Sequence, residues 1–191
     1  MSHKIFNSAN GFTLIELLIA IAMSMIILTF AVPSFSSFIK NGRVTTYTNT
    51  LVTDVNYARH EAVTRGDKVI LCRSADPTAS SPTCGGSANT WSSGWLVFVN
   101  TDGNTTYDAG TDTLLRATAE TAGSVTIKTN NTSNSNLIYK CDGTIDMAGG
   151  TAIFAVCDAR GEGHGNQLQV SPTGRPRLIT PVPNTCASPS A

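Results

Sequence analysis

Apolar positions follow three successive patterns along this chain. From Phe12 to Ile39 they run almost without a break, and Glu16 is the only charged side chain among them. A helix over the roughly 21 residues from Phe12 to Val32 would rise about 30 Å, the thickness of a bilayer's hydrocarbon core. The second pattern is one-sided. Apolar or small residues recur at Phe35, Ile39, Tyr47, Leu51, Val55, Ala58 and Ala62, the three-four spacing of a helix that buries one stripe. Thr46, Asn49, Thr50, Asp54 and Arg59 fill the opposite side, predicted to face water. One helix is therefore predicted from about Phe12 to Arg65, whose cation suits a helix C-terminus, with Gly66 ending it.

Beyond Gly66 the pattern changes to short apolar runs. Strands are predicted over residues 68–72, 94–100, 114–116, 125–127, 137–139, 152–157, 167–171 and 177–179. Turn dipeptides separate them at Asp102-Gly103, Asp142-Gly143, Gly149-Gly150 and Thr173-Gly174. A helix followed by an antiparallel meander is an α+β architecture: a long N-terminal helix, first anchor and then spine, packed on an antiparallel β-sheet.

The chain has 191 residues, and the part after the anchor is long enough for one domain with a sizeable core. Lys plus Arg and Asp plus Glu balance at 13 each, so no global charge announces a polyanionic partner. The local distribution is more informative. Asp76, Asp102, Asp108, Asp112 and Glu120 face a single base, Arg116, whereas no acidic residue occurs from Gly163 to Ala191. That C-terminal segment carries Arg175 and Arg177 with His164.

Five cysteines in an exported domain predict two bridges and one remaining thiol. Cys72 and Cys84 flank a Ser/Pro/Thr-rich loop and form the clearest pair. Among Cys141, Cys157 and Cys186 spacing does not choose. Cys157 with Cys186 is favoured because it would tether a proline-rich terminus to a strand. Close Cys/His pairs of metal-site spacing are absent from the sequence, and Asp102 to Asp108 fails the calcium-loop pattern because Tyr107 stands at its sixth position and Thr113 at its twelfth. No metal or cofactor is expected. His3, His60 and His164 lack a companion nucleophile in any known motif, so no enzyme is expected either. Trp91 and Trp95 sit in an apolar strand context that favours core over base stacking.

Glu16 is the anomaly of the anchor. A carboxylate inside the first turns of a membrane-length apolar helix costs about 2.5–3.5 kcal/mol on insertion scales and marks a functional residue unless it lies at headgroup level. Its context, Gly11-Phe12-Thr13-Leu14-Ile15-Glu16-Leu17, resembles the class III signal of type IV pilins and pseudopilins. The resemblance implies a leader over residues 1–11, cleaved after Gly11 by a prepilin peptidase, with methylation of the new N-terminal Phe12. Glu16 would then neutralise the Phe12 ammonium of a neighbouring subunit during filament assembly. The implied organisation is a transmembrane or filament-core helix at 12–39 and a periplasmic or extracellular pilin-like domain at 40–191. The protein would sit in the inner membrane by one span and enter a cell-surface pilus after processing.

Later motifs narrow the family. Leu71-Cys72-Arg73-Ser74, Cys84, Trp91-x-x-Gly94-Trp95-Leu96-Val97-Phe98 with Asp102, and Ser171-Pro172-x-Gly174-Arg175-Pro176-Arg177 together resemble the GspH/FimT family. Cys141 departs from that pattern. The Gly-Arg-x-Arg segment points to the FimT side, which implies DNA binding in natural transformation. The residues themselves support such a site. Pro176 fixes its own φ and biases Arg175 toward an extended conformation, so Arg175 and Arg177 would project from one face. Their planar guanidinium forks match phosphates. Lys140 or Arg160 would join them if the fold brought either near. The expected partners are DNA, bound non-specifically by its backbone, other pilins and the prepilin peptidase. The alternative is a structural minor pilin or GspH-like type II secretion pseudopilin that primes assembly without binding DNA.

Overall fold

The computed structural model describes residues 11–87, 90–119, 121, 124–130, 136–147, 150–179 and 186. The chain divides into two compact units, Met1–Ile39 and Lys40–Ala191. One α-helix, α1, covers Leu14–Arg65 and so belongs to both. Thr13 caps it, its Oγ1 accepting the Glu16 N–H at 3.3 Å. In the first unit the described large apolar side chains of this helix are exposed, Leu14 and Phe30 foremost, and the helix is long and apolar enough to cross a membrane. Arg65 ion-pairs with Glu61 in the last turn, and the Gly66 N–H closes that turn on the Ala62 carbonyl at 3.0 Å.

In the second unit eight strands follow: β1 (Lys68–Arg73), β2 (Trp95–Asn100), β3 (Thr113–Thr118), β4 (Thr126–Thr129), β5 (Leu137–Tyr139), β6 (Ala152–Cys157), β7 (Gly165–Val170) and β8 (Pro176–Ile179). They do not form one meander. Two four-stranded sheets result, ordered β3-β2-β1-β5 and β4-β6-β7-β8, and every ladder is antiparallel. The chain leaves the first sheet after β3, pairs β4 with β6, and returns β5 to the free edge of β1. Local alternation fixes which residues form strands but not which strands meet, because pairing is a long-range choice.

The core explains the second half of α1. Val44, Thr48, Leu51, Val55, Ala58 and Ala62 are buried at alternating steps of four and three. All but Thr48 share one cluster with Val69, Leu71, Trp95 and Val97 of the first sheet and Phe154, Val156, Leu168 and Val170 of the second. Trp91 packs edge-on against Phe154 with ring centroids 5.0 Å apart, and both tryptophans are core. The outer face of the first sheet is covered too, by a smaller cluster of Ile70, Cys72, Leu96 and Phe98 under Cys84 and Tyr107.

One expectation about α1 fails. Asp54, assigned to the watered side, is wholly buried. Its carboxylate accepts bonds from Trp95 Nε1 at 2.8 Å and Thr118 Oγ1 at 2.8 Å, and ion-pairs with Arg116. Arg116 in turn lies over the Tyr57 ring, 4.6 Å from its centroid. Asp54 stands at the margin of the apolar stripe, next to Val55, where the helix packs against β2 and β3.

The Cys72–Cys84 disulfide ties β1 to the loop that covers that outer cluster, across a sequence separation of 12. Replacing both cysteines by alanine is expected to lower the free energy of unfolding by about 3 kcal/mol, through the loop-closure entropy returned to the unfolded chain. Urea denaturation checks this, and a loss under about 1 kcal/mol would refute the constraint.

Candidate nucleic-acid interface

β8 is the edge strand of the second sheet, paired only with β7, and its register sets Gln169 opposite Arg177 and Val170 opposite Pro176. Proline is tolerated as the first residue of an edge strand, where no inner ladder needs its N–H. Just before it, the Arg175 carbonyl accepts from the Ser171 N–H at 3.1 Å and from Ser171 Oγ at 3.3 Å, which closes the β7–β8 turn. Arg175 and Arg177 are both exposed. They line one shallow groove of about 310 Å³ with Thr151, Gln169, Ser171 and Pro176. Among the described residues no carboxylate ion-pairs with either arginine.

A close contact between two turns sets this edge. Gly174 has φ +74°, and a Cβ built on it would lie 1.9 Å from the Gly143 carbonyl oxygen and 2.9 Å from Tyr139 Cε1. Only glycine allows that approach. The Tyr139 hydroxyl donates to the Gly174 carbonyl at 3.2 Å, and the Ile145 N–H donates to the Pro172 carbonyl at 3.0 Å. Burial pushes the Tyr139 phenol well above its ordinary range, and the nearby Arg59 charge offsets part of that. Hydrogen bonds from the Thr144 hydroxyl and N–H hold the Asp142 carboxyl below its usual range and shape the other turn. A turn from each sheet thus meets at Gly143 and Gly174.

Lys140, three residues before Gly143, lines a separate groove with Gly66, Asp67, Lys68 and Asn100, not the groove of Arg175 and Arg177. Its ammonium lies 3.8 Å from Asp146 at the surface, a separation that constrains it little. Arg160 is placed elsewhere. It lies in the loop between β6 and β7, at the opposite end of six-residue β7 from Arg175, about 17 Å along the strand. Its guanidinium is held by Asp158 and by Asn41 Oδ1 at 2.6 Å. Burial alone would raise the Asp158 carboxyl, but bonds from Arg160 outweigh it and hold the group below the usual carboxylate range. Arg160 is therefore a structural ion-pair member, not a neighbour of the arginine pair.

Arg59, predicted to face water from α1, reaches the same meeting point, its Nε donating to the Gly143 carbonyl at 3.1 Å. A helical position 84 residues away carries no sequence signal for that contact.

Cys157 is joined to Cys186, and Cys141 is an exposed free thiol. Asp102, Asp108 and Asp112 bring carboxylate oxygens within 4.8 Å of one another. The same oxygens accept bonds from Asn104 Nδ2 and from the backbone N–H groups of Thr101, Asn104 and Asp108, which organise a turn. Gly11 and Phe12 precede the helix, and Glu16 stands exposed in its first turn.

Comparison with known proteins agrees with this architecture. The family profile described as type II transport protein GspH matches residues 47–174, and that of the prokaryotic N-terminal methylation motif matches residues 6–32. No curated protein sequence gives a significant match. Two crystal structures of the type IV minor pilin FimU of Pseudomonas aeruginosa share the fold. One is 21% identical with a TM-score of 0.55, covering 74% of this chain and 98% of that one. The other is 20% identical with a TM-score of 0.59, covering 78% and 98%.

Proposed function

The chain belongs to the GspH family of type IV pilin-like proteins, and within that family we propose that it acts as a DNA-binding minor pilin in DNA uptake. Membership implies association with other pilins and processing by a prepilin peptidase at the N-terminal methylation motif. In the proposed cycle the peptidase cuts between Gly11 and Phe12. Glu16 then faces the Phe12 ammonium of the next subunit in the apolar filament core, where an unpaired charge would be costly. The domain from Lys40 onward is carried on the periplasmic side and outward on the pilus.

The observation that supports DNA as the ligand is the placement of Arg175 and Arg177. Both are exposed on an edge strand, line one groove and have no described carboxylate beside them. The groove's described lining carries the two guanidinium groups and contains no aromatic ring. Such a surface can take phosphates but offers no platform for base stacking. Binding is therefore non-specific, with dissociation constants of roughly 10⁻⁴ to 10⁻⁶ M at physiological salt. Several subunits acting on one polymer raise the effective concentration enough to make weak sites useful.

The test is equilibrium binding of unrelated duplexes to the full-length chain in non-ionic detergent, across a salt series. Replacing Arg175 and Arg177 by glutamine is expected to weaken binding alike for all sequences. It should also flatten the slope of log affinity against log salt by up to about two units, since each neutralised phosphate contributes about 0.9. Folding should persist, because exposed substitutions usually change stability by less than about 0.5 kcal/mol. Undiminished binding by the double variant would leave the assembly-subunit reading in its place.

A further inference from the structure

We infer that Arg59 is a third arginine of the phosphate-binding surface, extending it from the edge of the second sheet across the Gly143–Gly174 contact onto α1; this rests on the DNA-binding reading above. Three observations carry it. First, the Gly143 carbonyl stands between the two elements: it accepts from Arg59 Nε at 3.1 Å, and a Cβ on Gly174 would touch the same oxygen. Arg59 is thus separated from the residue before Arg175 by one carbonyl group. Second, the bond to Gly143 uses only Nε. Among the described residues no partner takes a hydrogen bond from the two terminal nitrogens, neither is a buried unsatisfied atom, and the residue is only half-buried. Third, no described carboxylate ion-pairs with Arg59, whereas Arg65, Arg116 and Arg160 are each paired.

The chemistry fits a phosphate. Fixing Nε on a backbone carbonyl restrains the side chain, so less rotamer entropy is lost when the terminal nitrogens meet an anion. A duplex presents one charge per about 1.7 Å of axis, so cations one turn apart on the protein can each find a phosphate. The surface would then draw on a helix, a turn of the first sheet and an edge strand of the second, and it would grip a duplex backbone over more than the width of β8.

The salt dependence of duplex binding by the full-length chain in non-ionic detergent decides this, with Arg59→Gln, Arg59→Lys and the Arg175/Arg177 double variant compared. Arg59→Gln is expected to lower the salt slope by about 0.9, and Arg59→Lys to keep the wild-type slope. Combined with the double variant, Arg59→Gln should lower the slope further. If Arg59→Gln weakens binding but keeps the wild-type slope, Arg59 merely props the Gly143 turn and the inference is overturned. If the double variant flattens the slope and Arg59→Gln changes nothing, Arg59 makes no contact although the arginine pair does. If wild type does not bind duplex at all, both this inference and the reading beneath it fall.

Discussion

Asp54→Ala is expected to cost about 3–5 kcal/mol of unfolding free energy, the largest effect of any single polar substitution in the domain. The carboxylate is wholly buried and holds three donors from two strands of the first sheet. Removing it leaves the Trp95 indole N–H buried without an acceptor, at a cost of about 1–3 kcal/mol. Thr118 loses its acceptor as well, and Arg116 loses the charge that fixes it over Tyr57. Arg116 is partly exposed and can recover water, which keeps the total near the lower end of the range for a severed buried pair. Thr46→Ala, at an exposed helix position, serves as the control and should change stability by less than about 0.5 kcal/mol. Urea denaturation of the two variants separates them, the midpoint moving with the slope unchanged. A loss below about 1 kcal/mol for Asp54→Ala would mean that the network adds nothing beyond packing.

Gly174→Ala should be the most damaging change near the candidate site. Its Cβ would stand 1.9 Å from the Gly143 oxygen, and the backbone is at φ +74°. Neither backbone can yield without breaking the Tyr139–Gly174 bond or the Ile145–Pro172 bond. Gly163 provides a matched control, with φ +77° and open space where a Cβ would go. Gly163→Ala should cost only the left-handed backbone penalty of about 1–2 kcal/mol. Gly174→Ala should cost that plus the forced separation of the two turns, about 3 kcal/mol in all. Because the separation moves the Arg175 turn away from the Gly143 turn that Arg59 holds, duplex affinity should fall for Gly174→Ala and stay at the wild-type level for Gly163→Ala. Equal stability losses in the two variants would show that the turn contact is not tight.

The amino-acid order alone determined the elements of this protein. The three-four spacing through Leu51, Val55, Ala58 and Ala62 marked the buried stripe of α1, and short apolar runs between glycine turns marked the strands to within a residue or two. Those signals are local: periodicity of side-chain direction and the backbone demands of turns are written within a few residues. Tertiary structure alone decided the rest. It split the strands into two sheets, returned β5 to β1, and buried Asp54 between helix and sheet. It also sorted the five cations named as candidates for this edge. Arg175 and Arg177 lie two apart on one strand, so their common side followed from strand geometry. Arg59 comes to the Gly143–Gly174 contact only through the tertiary fold, while Lys140 lines another groove and Arg160 lies at the far end of β7 in an ion pair. Contacts such as these join residues tens of positions apart, and their energies depend on burial and partner geometry, which exist only once the chain has closed on itself.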